Sequence, residues 1–156
     1  MIVPSSVLPE RIWEKLKRVM VPLMVVSHKV VTKFEMLDQF LAVLRQLSQT
    51  DVDAYLKDAV LIGSMRYYLQ VSIKCCLDVA AHVISSDRFR APKDYADTFT
   101  VLEEQSIIPT DLGHRLRQMA KFRNRLVHLY GEIDDRTVLR IAREDLGDIE
   151  AFKTAI

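Results

Sequence analysis

Glycine and proline are scarce in this chain of 156 residues, which contains four glycines and five prolines. Both residues disfavour the interior of a helix, so their scarcity removes the commonest interruptions of helical structure. No convincing strand pattern, internal repeat or low-complexity segment is present. The chain is 49% hydrophobic and 28% charged, which is typical of a globular domain rather than a disordered one. These features favour a single all-α domain.

Cysteine and net charge are also low. The two cysteines, Cys75 and Cys76, are adjacent in an apolar helical pattern, and neighbouring cysteines rarely pair with each other. We therefore predict two reduced core residues in a reducing compartment. A formal net charge of +1 excludes a uniformly basic protein that coats nucleic acid, but it allows a local basic site.

Long apolar runs are missing too. The longest, "VMVPLMVVSHKVV", is interrupted by Pro22, His28 and Lys29 and is shorter than the roughly 20 residues that span a membrane. The first residues show no basic region followed by an apolar block, so no signal peptide is evident. We expect a cytoplasmic protein that has no membrane partner.

Apolar residues recur at spacings of three and four along most of the chain, which predicts helices. The predicted helices are one beginning at Pro9, one from Lys29 to Gln49, a long one from about Val52 to Ile84, a short one after Asp94, one from Pro109 to Gly131, and a last one after Asp134 or Asp135. We expect an up-and-down bundle of four main helices with short accessory helices.

Polar side chains crowd the end of the helix that begins at Pro109, in the stretch "KFRNRLVHLYGEIDD". At about 100° per residue, Asn124 and His128 share one face of a helix, whereas Arg123 and His128 are offset by about 140°. One subunit therefore presents these groups along a wide edge. A shared substrate would lie in a groove along that edge, or a second subunit would close it.

The same helix is strongly cationic. No carboxylate occurs from Leu112 to Gly131, where five basic residues and two histidines stand: Arg115, Arg117, Lys121, Arg123, Arg125, His114 and His128. Arginine suits a phosphate, and histidine can exchange a proton near neutrality. In RNA the 2′-hydroxyl is a built-in nucleophile, and the stretch lacks the carboxylates of a magnesium site, so we expect neither metal nor cofactor. The helix dipole alone also favours basic residues at this end.

The segment "FRNRLVHLY" matches the R-x-x-x-x-H-x-Y motif and resembles the HepT-like branch of the HEPN ribonuclease superfamily. The segments "MRYYLQVSIKCCLDVAAHVIS" and "IDDRTVLRIAREDLGDIEAF" resemble the second and last bundle helices of that family. The resemblance covers roughly Phe34 to Phe152. We therefore expect a HEPN-like bundle domain at 29–156 and a variable N-terminal segment with a short helix at 1–28.

The resemblance implies the toxin of a type VII toxin–antitoxin pair. Such a protein would be a homodimeric, metal-independent endoribonuclease that cleaves RNA by 2′-hydroxyl attack, with the motifs of both subunits in one cleft. It implies that Arg123 binds and stabilises the phosphate, His128 is the general acid/base and Asn124 positions the substrate or His128. Tyr130 matches the tyrosine that a minimal nucleotidyltransferase (MNT) antitoxin modifies with AMP. Three further residues are predicted phosphate contacts: Arg115, Lys121 and Arg125.

Two other readings remain open. The first is a non-catalytic HEPN-like partner or substrate-binding subunit of a nucleotidyltransferase, and the second is a purely structural bundle with a polar helix end. His82, near Asp78, is predicted to be a hydrogen-bonded structural histidine, with a role in the cleft as the alternative. Lys74 stands where many relatives are expected to have an acid.

Overall fold

The structure is a computed structural model that describes residues 9–128 and 132–156, apart from the side chains at positions 17 and 19–27. Within these ranges all regular structure is helical, which confirms the predicted all-α fold class. The helices are α1 (Glu10–Leu47), α2 (Val52–Leu56), α3 (Ala59–Ser86), α4 (Tyr95–Glu104), α5 (Thr110–His128), α6 (Asp135–Glu144) and α7 (Leu146–Ala155). None of the described helices is both long and apolar enough to cross a membrane.

The chain divides into two compact units, residues 1–32 and residues 33–156. The sequence predicts separate helices after Pro9 and from Lys29, but the structure has one continuous helix, α1, which runs through both positions. A proline removes one backbone hydrogen bond and favours a kink, but it does not have to end a helix, and α1 continues through Pro22. The short N-terminal helix is therefore part of a longer one, and the domain boundary at 28/29 stays a prediction.

The long helix predicted from Val52 to Ile84 is interrupted near its start. The Asp51 carboxylate accepts hydrogen bonds from the backbone N–H groups at the start of α2. The Asp58 carboxylate accepts from Val60 N at 2.9 Å and Leu61 N at 3.1 Å, which starts α3 afresh. The prediction of one helix was wrong because apolar periodicity continues across a second N-cap.

The last predicted helix is likewise two helices. Asp134 caps α6, because its carboxylate accepts from Arg136 N at 3.1 Å. Asp145 is both the C-cap of α6 and the N-cap of α7, so the chain turns there. The turn lets apolar residues of both helices reach one core, in which the rings of Phe99 and Phe152 meet edge to face at 5.7 Å.

Both cysteines lie in the core and are free, as the sequence predicts. The Cys75 thiol donates a hydrogen bond to the Lys33 carbonyl at 3.1 Å, which joins α3 to α1. Burial raises the pKa of the Cys75 thiol to about 11 and that of the Cys76 thiol well above its ordinary value. Both are therefore protonated packing residues at neutral pH.

An arginine fastens α6 to the segment that follows α1. Arg143 donates from Nε to the Ser48 carbonyl at 2.9 Å and from Nη2 to the Thr50 carbonyl at 2.6 Å. Carbonyls at the end of a helix have no donor within the helix, so a side chain that reaches them satisfies groups that otherwise depend on water.

Arg143→Ala is expected to lower the free energy of unfolding by about 1 kcal/mol, because two charge-assisted hydrogen bonds are lost at a partly exposed site. Urea unfolding measures the change. Arg140→Ala is the matched control, since Arg140 is on the same helix but within the described residues makes only ion pairs of 3.5 and 3.7 Å with Asp145 and Glu144. Equal losses in the two variants would contradict the role given to Arg143.

Candidate functional site

The site is built on α5, which packs against α3, α4 and α7. The helix starts after Pro109, whose carbonyl accepts from Gly113 N at 2.9 Å. A Cβ at Gly113 would lie 2.5 Å from a carboxylate oxygen of Glu103, so the glycine leaves room for the Glu103 side chain that pairs with Arg117. One face of α5 is buried and fixes the helix in place: Leu112, Leu116, Met119, Ala120, Phe122 and Leu126. Its polar residues consequently emerge along the edges of this face.

Arg123 is partly buried and is held by neutral groups. Its guanidinium carbon lies 5.3 Å from the centre of the Tyr95 ring, within the range of a cation–π interaction. Its Nη1 donates a long hydrogen bond of 3.4 Å to Asn124 Oδ1, and its buried Nε has no partner among the described atoms. No carboxylate in the described ranges pairs with it.

The charges of two other arginines of α5 are neutralised by ion pairs with carboxylates. Arg115 pairs with Asp148 at 2.7 Å and with Asp111 at 3.0 Å. Arg117 pairs with Glu103 of α4. The cationic helix seen in the sequence is therefore partly neutralised by its neighbours. The basic residues of α5 that form no ion pair with the described part of the chain are Lys121, Arg123 and Arg125.

Asn124 lines a groove of about 480 Å³ between α3, the start of α4 and α5. Tyr95 and two charged residues of α3, Lys74 and Asp78, line the same groove. The Asp78 carboxylate pairs with Lys74 and, at 3.1 Å, with Lys33. Burial opposes its ionisation, but the hydrogen bonds from the two lysines outweigh this and lower the pKa of Asp78. The three residues together leave one positive charge beside the groove.

His128 is exposed at the end of the described part of α5 and makes no hydrogen bond or ion pair with residues that the structure describes. At about 100° per residue, Lys121, Asn124 and His128 occupy one edge of α5. Arg123 lies beside Asn124 and against Tyr95. Tyr130, the predicted modification site, lies outside the described residues.

The predicted phosphate contacts are not all on this edge. Arg115 and Arg125 line a second groove of about 390 Å³ between α5 and the helices α6 and α7. Arg140 and Asp148 line it as well. Lys121 lines neither groove and lies between Asn124 and Arg125 around the helix, about 60° from the first and about 40° from the second. Their contact with phosphate remains a prediction.

Sequence reasoning missed Tyr95 and the lysines that share Asp78. No spacing rule could have found Tyr95, because it starts a different helix and meets Arg123 only through the packing of α4 on α5.

His82 differs from the prediction of a hydrogen-bonded histidine: its Nε2 is buried and has no hydrogen-bond partner in the described ranges. Among the same residues, no cluster of histidine, cysteine and carboxylate side chains could hold a metal ion.

Fold and site together define a small helical-bundle protein with a polar groove beside the helix that carries Arg123. Lys74 and the carboxylates of Asp78 and Asp94 line this groove. The profile of the ribonuclease HepT-like family matches residues 37–156, and the chain belongs to this family. The mRNA nuclease HepT of Shewanella oneidensis is 27% identical over 128 residues, which cover 82% of this chain and 92% of the relative. The tRNA nuclease HepT of Aphanizomenon flos-aquae is 26% identical over 109 residues, covering 69% and 73%.

A solved structure supports the same assignment. The tri-AMPylated HEPN toxin of Shewanella oneidensis, in complex with its MNT antitoxin, superimposes with a TM-score of 0.75 at 25% identity, covering 81% of this chain and 94% of the toxin. The predicted resemblance to HepT-like proteins and the HEPN-like bundle are thus confirmed. The predicted enzyme class, a ribonuclease, is confirmed at the level of the family.

Proposed function

We propose that this protein is a metal-independent endoribonuclease and the toxin of a type VII toxin–antitoxin pair acting in the cytoplasm. The observation that carries the proposal is the state of Arg123. Its guanidinium is held by Tyr95 and Asn124, with no described carboxylate to cancel its charge, on the helix that also presents His128. An arginine in this state is ready to receive a phosphate.

The proposed reaction needs only groups of the protein and of RNA. His128 removes the proton from the 2′-hydroxyl, and the 2′-oxygen attacks phosphorus while the P–O5′ bond breaks. The products are a 2′,3′-cyclic phosphate and a 5′-hydroxyl, whose proton comes from an imidazolium. Arg123 stabilises the charge that develops on the phosphate oxygens, and Asn124 positions the substrate.

A homodimer solves the angular difficulty in this site. Arg123 and His128 are offset by about 140° around α5, so one helix does not easily direct both side chains at one phosphate. Two copies of α5 facing each other bring the arginine of one subunit near the histidine of the other. The pair of histidines also supplies separate groups for the base and the acid.

His128→Ala is expected to lower the rate of RNA cleavage by roughly 10²- to 10⁴-fold, because general acid–base catalysis is lost. Cleavage of end-labelled RNA in the presence of EDTA measures the effect. His114→Ala is the matched control, since His114 is exposed on the same helix but lines the second groove. Equal cleavage by wild type and His128→Ala would refute the assignment.

Absence of cleavage by wild type, with no growth arrest when the protein is expressed alone, would instead favour the alternative function. In that case the chain is a non-catalytic HEPN-like partner or substrate-binding subunit of a nucleotidyltransferase.

A mixed dimer tests the composite cleft. Arg123→Ala and His128→Ala copies carrying different tags are expected to cleave RNA slowly but measurably as homodimers. The co-purified heterodimer is expected to cleave RNA faster than either homodimer by roughly tenfold or more, because it retains one arginine and one histidine on different subunits. If the heterodimer cleaves RNA as slowly as both homodimers, the arginine and the histidine that act together belong to the same subunit.

Modification by a cognate MNT-type nucleotidyltransferase is the proposed means of neutralisation, with Tyr130 as the acceptor. The related Shewanella oneidensis toxin is tri-AMPylated in its complex with the MNT antitoxin, which supports this assignment. Each added AMP brings negative charge and bulk, which would oppose the binding of RNA at a cationic edge.

Co-expression with the cognate nucleotidyltransferase is expected to raise the intact mass of the toxin by whole AMP additions and to abolish RNA cleavage. Intact-mass spectrometry measures the additions. The Tyr130→Phe variant should lose them, because it lacks the acceptor oxygen. Tyr67→Phe, at an exposed tyrosine on α3, should keep them. An unchanged mass shift in Tyr130→Phe would show that another residue accepts the AMP.

A further inference from the structure

We propose that Tyr95 is a positioning residue for Arg123, whose ring holds the guanidinium in place without neutralising it. This inference rests on the proposed function, since it concerns the arginine assigned to the phosphate. It adds to the site a residue that lies outside the R-x-x-x-x-H-x-Y motif and on a different helix.

The described contacts of the Arg123 guanidinium are with neutral groups. The Tyr95 ring lies under the guanidinium at 5.3 Å, and Asn124 Oδ1 accepts from Nη1 at 3.4 Å. The buried Nε has no described partner. A carboxylate in place of the ring would hold the guanidinium more tightly, but it would compete with phosphate for the same donors. An aromatic face attracts the cation through its quadrupole and leaves the N–H groups free to donate.

Tyr95 is itself fixed by the start of α4. The Asp94 carboxylate accepts from Asp97 N at 2.8 Å and caps the helix of which Tyr95 is the first residue. Arg90 donates to both oxygens of Asp97, at 2.7 and 2.9 Å, and to both oxygens of Glu104, at 2.8 and 2.9 Å. The hydrogen bonds from Arg90 and from the Lys93 amide hold the pKa of Asp97 below its usual range.

This network has two consequences for Arg123. It anchors the turn that carries the ring, so the ring is a stable support. It also pairs the carboxylates of Asp97 and Glu104 with Arg90, and neither forms an ion pair with Arg123 in the described ranges.

The ring also lines the groove beside Asn124 and is 45% exposed. Direct stacking of an RNA base on Tyr95 is therefore the rival interpretation. The two interpretations predict different kinetics. A support for Arg123 acts when charge builds at phosphorus and changes kcat, whereas a stacking surface acts on bound substrate and changes KM.

The experiment compares Tyr95→Leu, which keeps apolar volume but removes the quadrupole, with Tyr95→Phe, which keeps the ring. Tyr95→Leu is expected to lower kcat for RNA cleavage roughly 5- to 30-fold with KM within about twofold of wild type. Tyr95→Phe should stay within about twofold in both constants. Tyr67→Leu, at another exposed tyrosine, is the matched control and should leave both unchanged.

A double-mutant cycle tests whether Tyr95 acts through Arg123. Adding Tyr95→Leu to Arg123→Ala should cause no further loss of kcat, because the group that the ring supports is gone. Unchanged kinetics in Tyr95→Leu, an increase in KM alone, or an additive loss in the double variant would each overturn the proposal.

A second readout does not depend on cleavage. The ring current of Tyr95 should shift the side-chain NMR signals of Arg123, assigned by their loss in Arg123→Ala. The shift should disappear in Tyr95→Leu and persist in Tyr95→Phe. Persistence of the shift in Tyr95→Leu would overturn the contact between the two side chains. This result stands even if the wild-type protein cleaves no RNA, so failure of the proposed function and failure of this inference are distinguishable.

Discussion

Burial of the apolar face of α5 is the interaction on which both the bundle and the site depend. Leu116 and Ala120 are fully buried on this face, and the helix contacts α3, α4 and α7. Removing such a face from water is the largest favourable term in folding, so the rotation of α5 about its axis is fixed by the core rather than by its polar residues. Once that rotation is set, Asn124 must face the groove beside α3 and α4, and Arg125 must face the opposite one.

Charge compensation is the second constraint. Neighbouring helices supply carboxylates to Arg115 and Arg117, and Arg90 pairs with Asp97 in the first turn of α4 and with Glu104 at its end. Arg123 receives an aromatic ring and an amide in their place. A partly buried guanidinium without a described counter-ion costs desolvation free energy, which the cation–π contact offsets only in part. Binding a phosphate would recover more of that cost, which is a physical reason for this arrangement in a ribonuclease-family protein.

Charges are also paired on α3, beside the groove that Asn124 lines. Asp78 holds Lys74 and Lys33 together, so a pair of lysines stands near the groove with only one carboxylate between them. Such a cluster retains net positive charge while keeping its side chains ordered. Asp94 adds a second carboxylate to the lining, so the groove itself carries no excess of positive charge, and an uncompensated cation beside it is Arg123 of α5.

The sequence by itself determined the helical class, the reduced buried cysteines, a cap at Asp134 or Asp135 and the membership of the HepT-like family, because these follow from local periodicity, capping chemistry and an ordered motif. It failed at the second cap, Asp58, where apolar spacing continues across a helix break. Only the tertiary structure decided which arginines of α5 pair with carboxylates and that Tyr95 lies against Arg123. Those contacts join residues far apart in the chain, and their partners are set by how the helices pack rather than by any spacing along one helix.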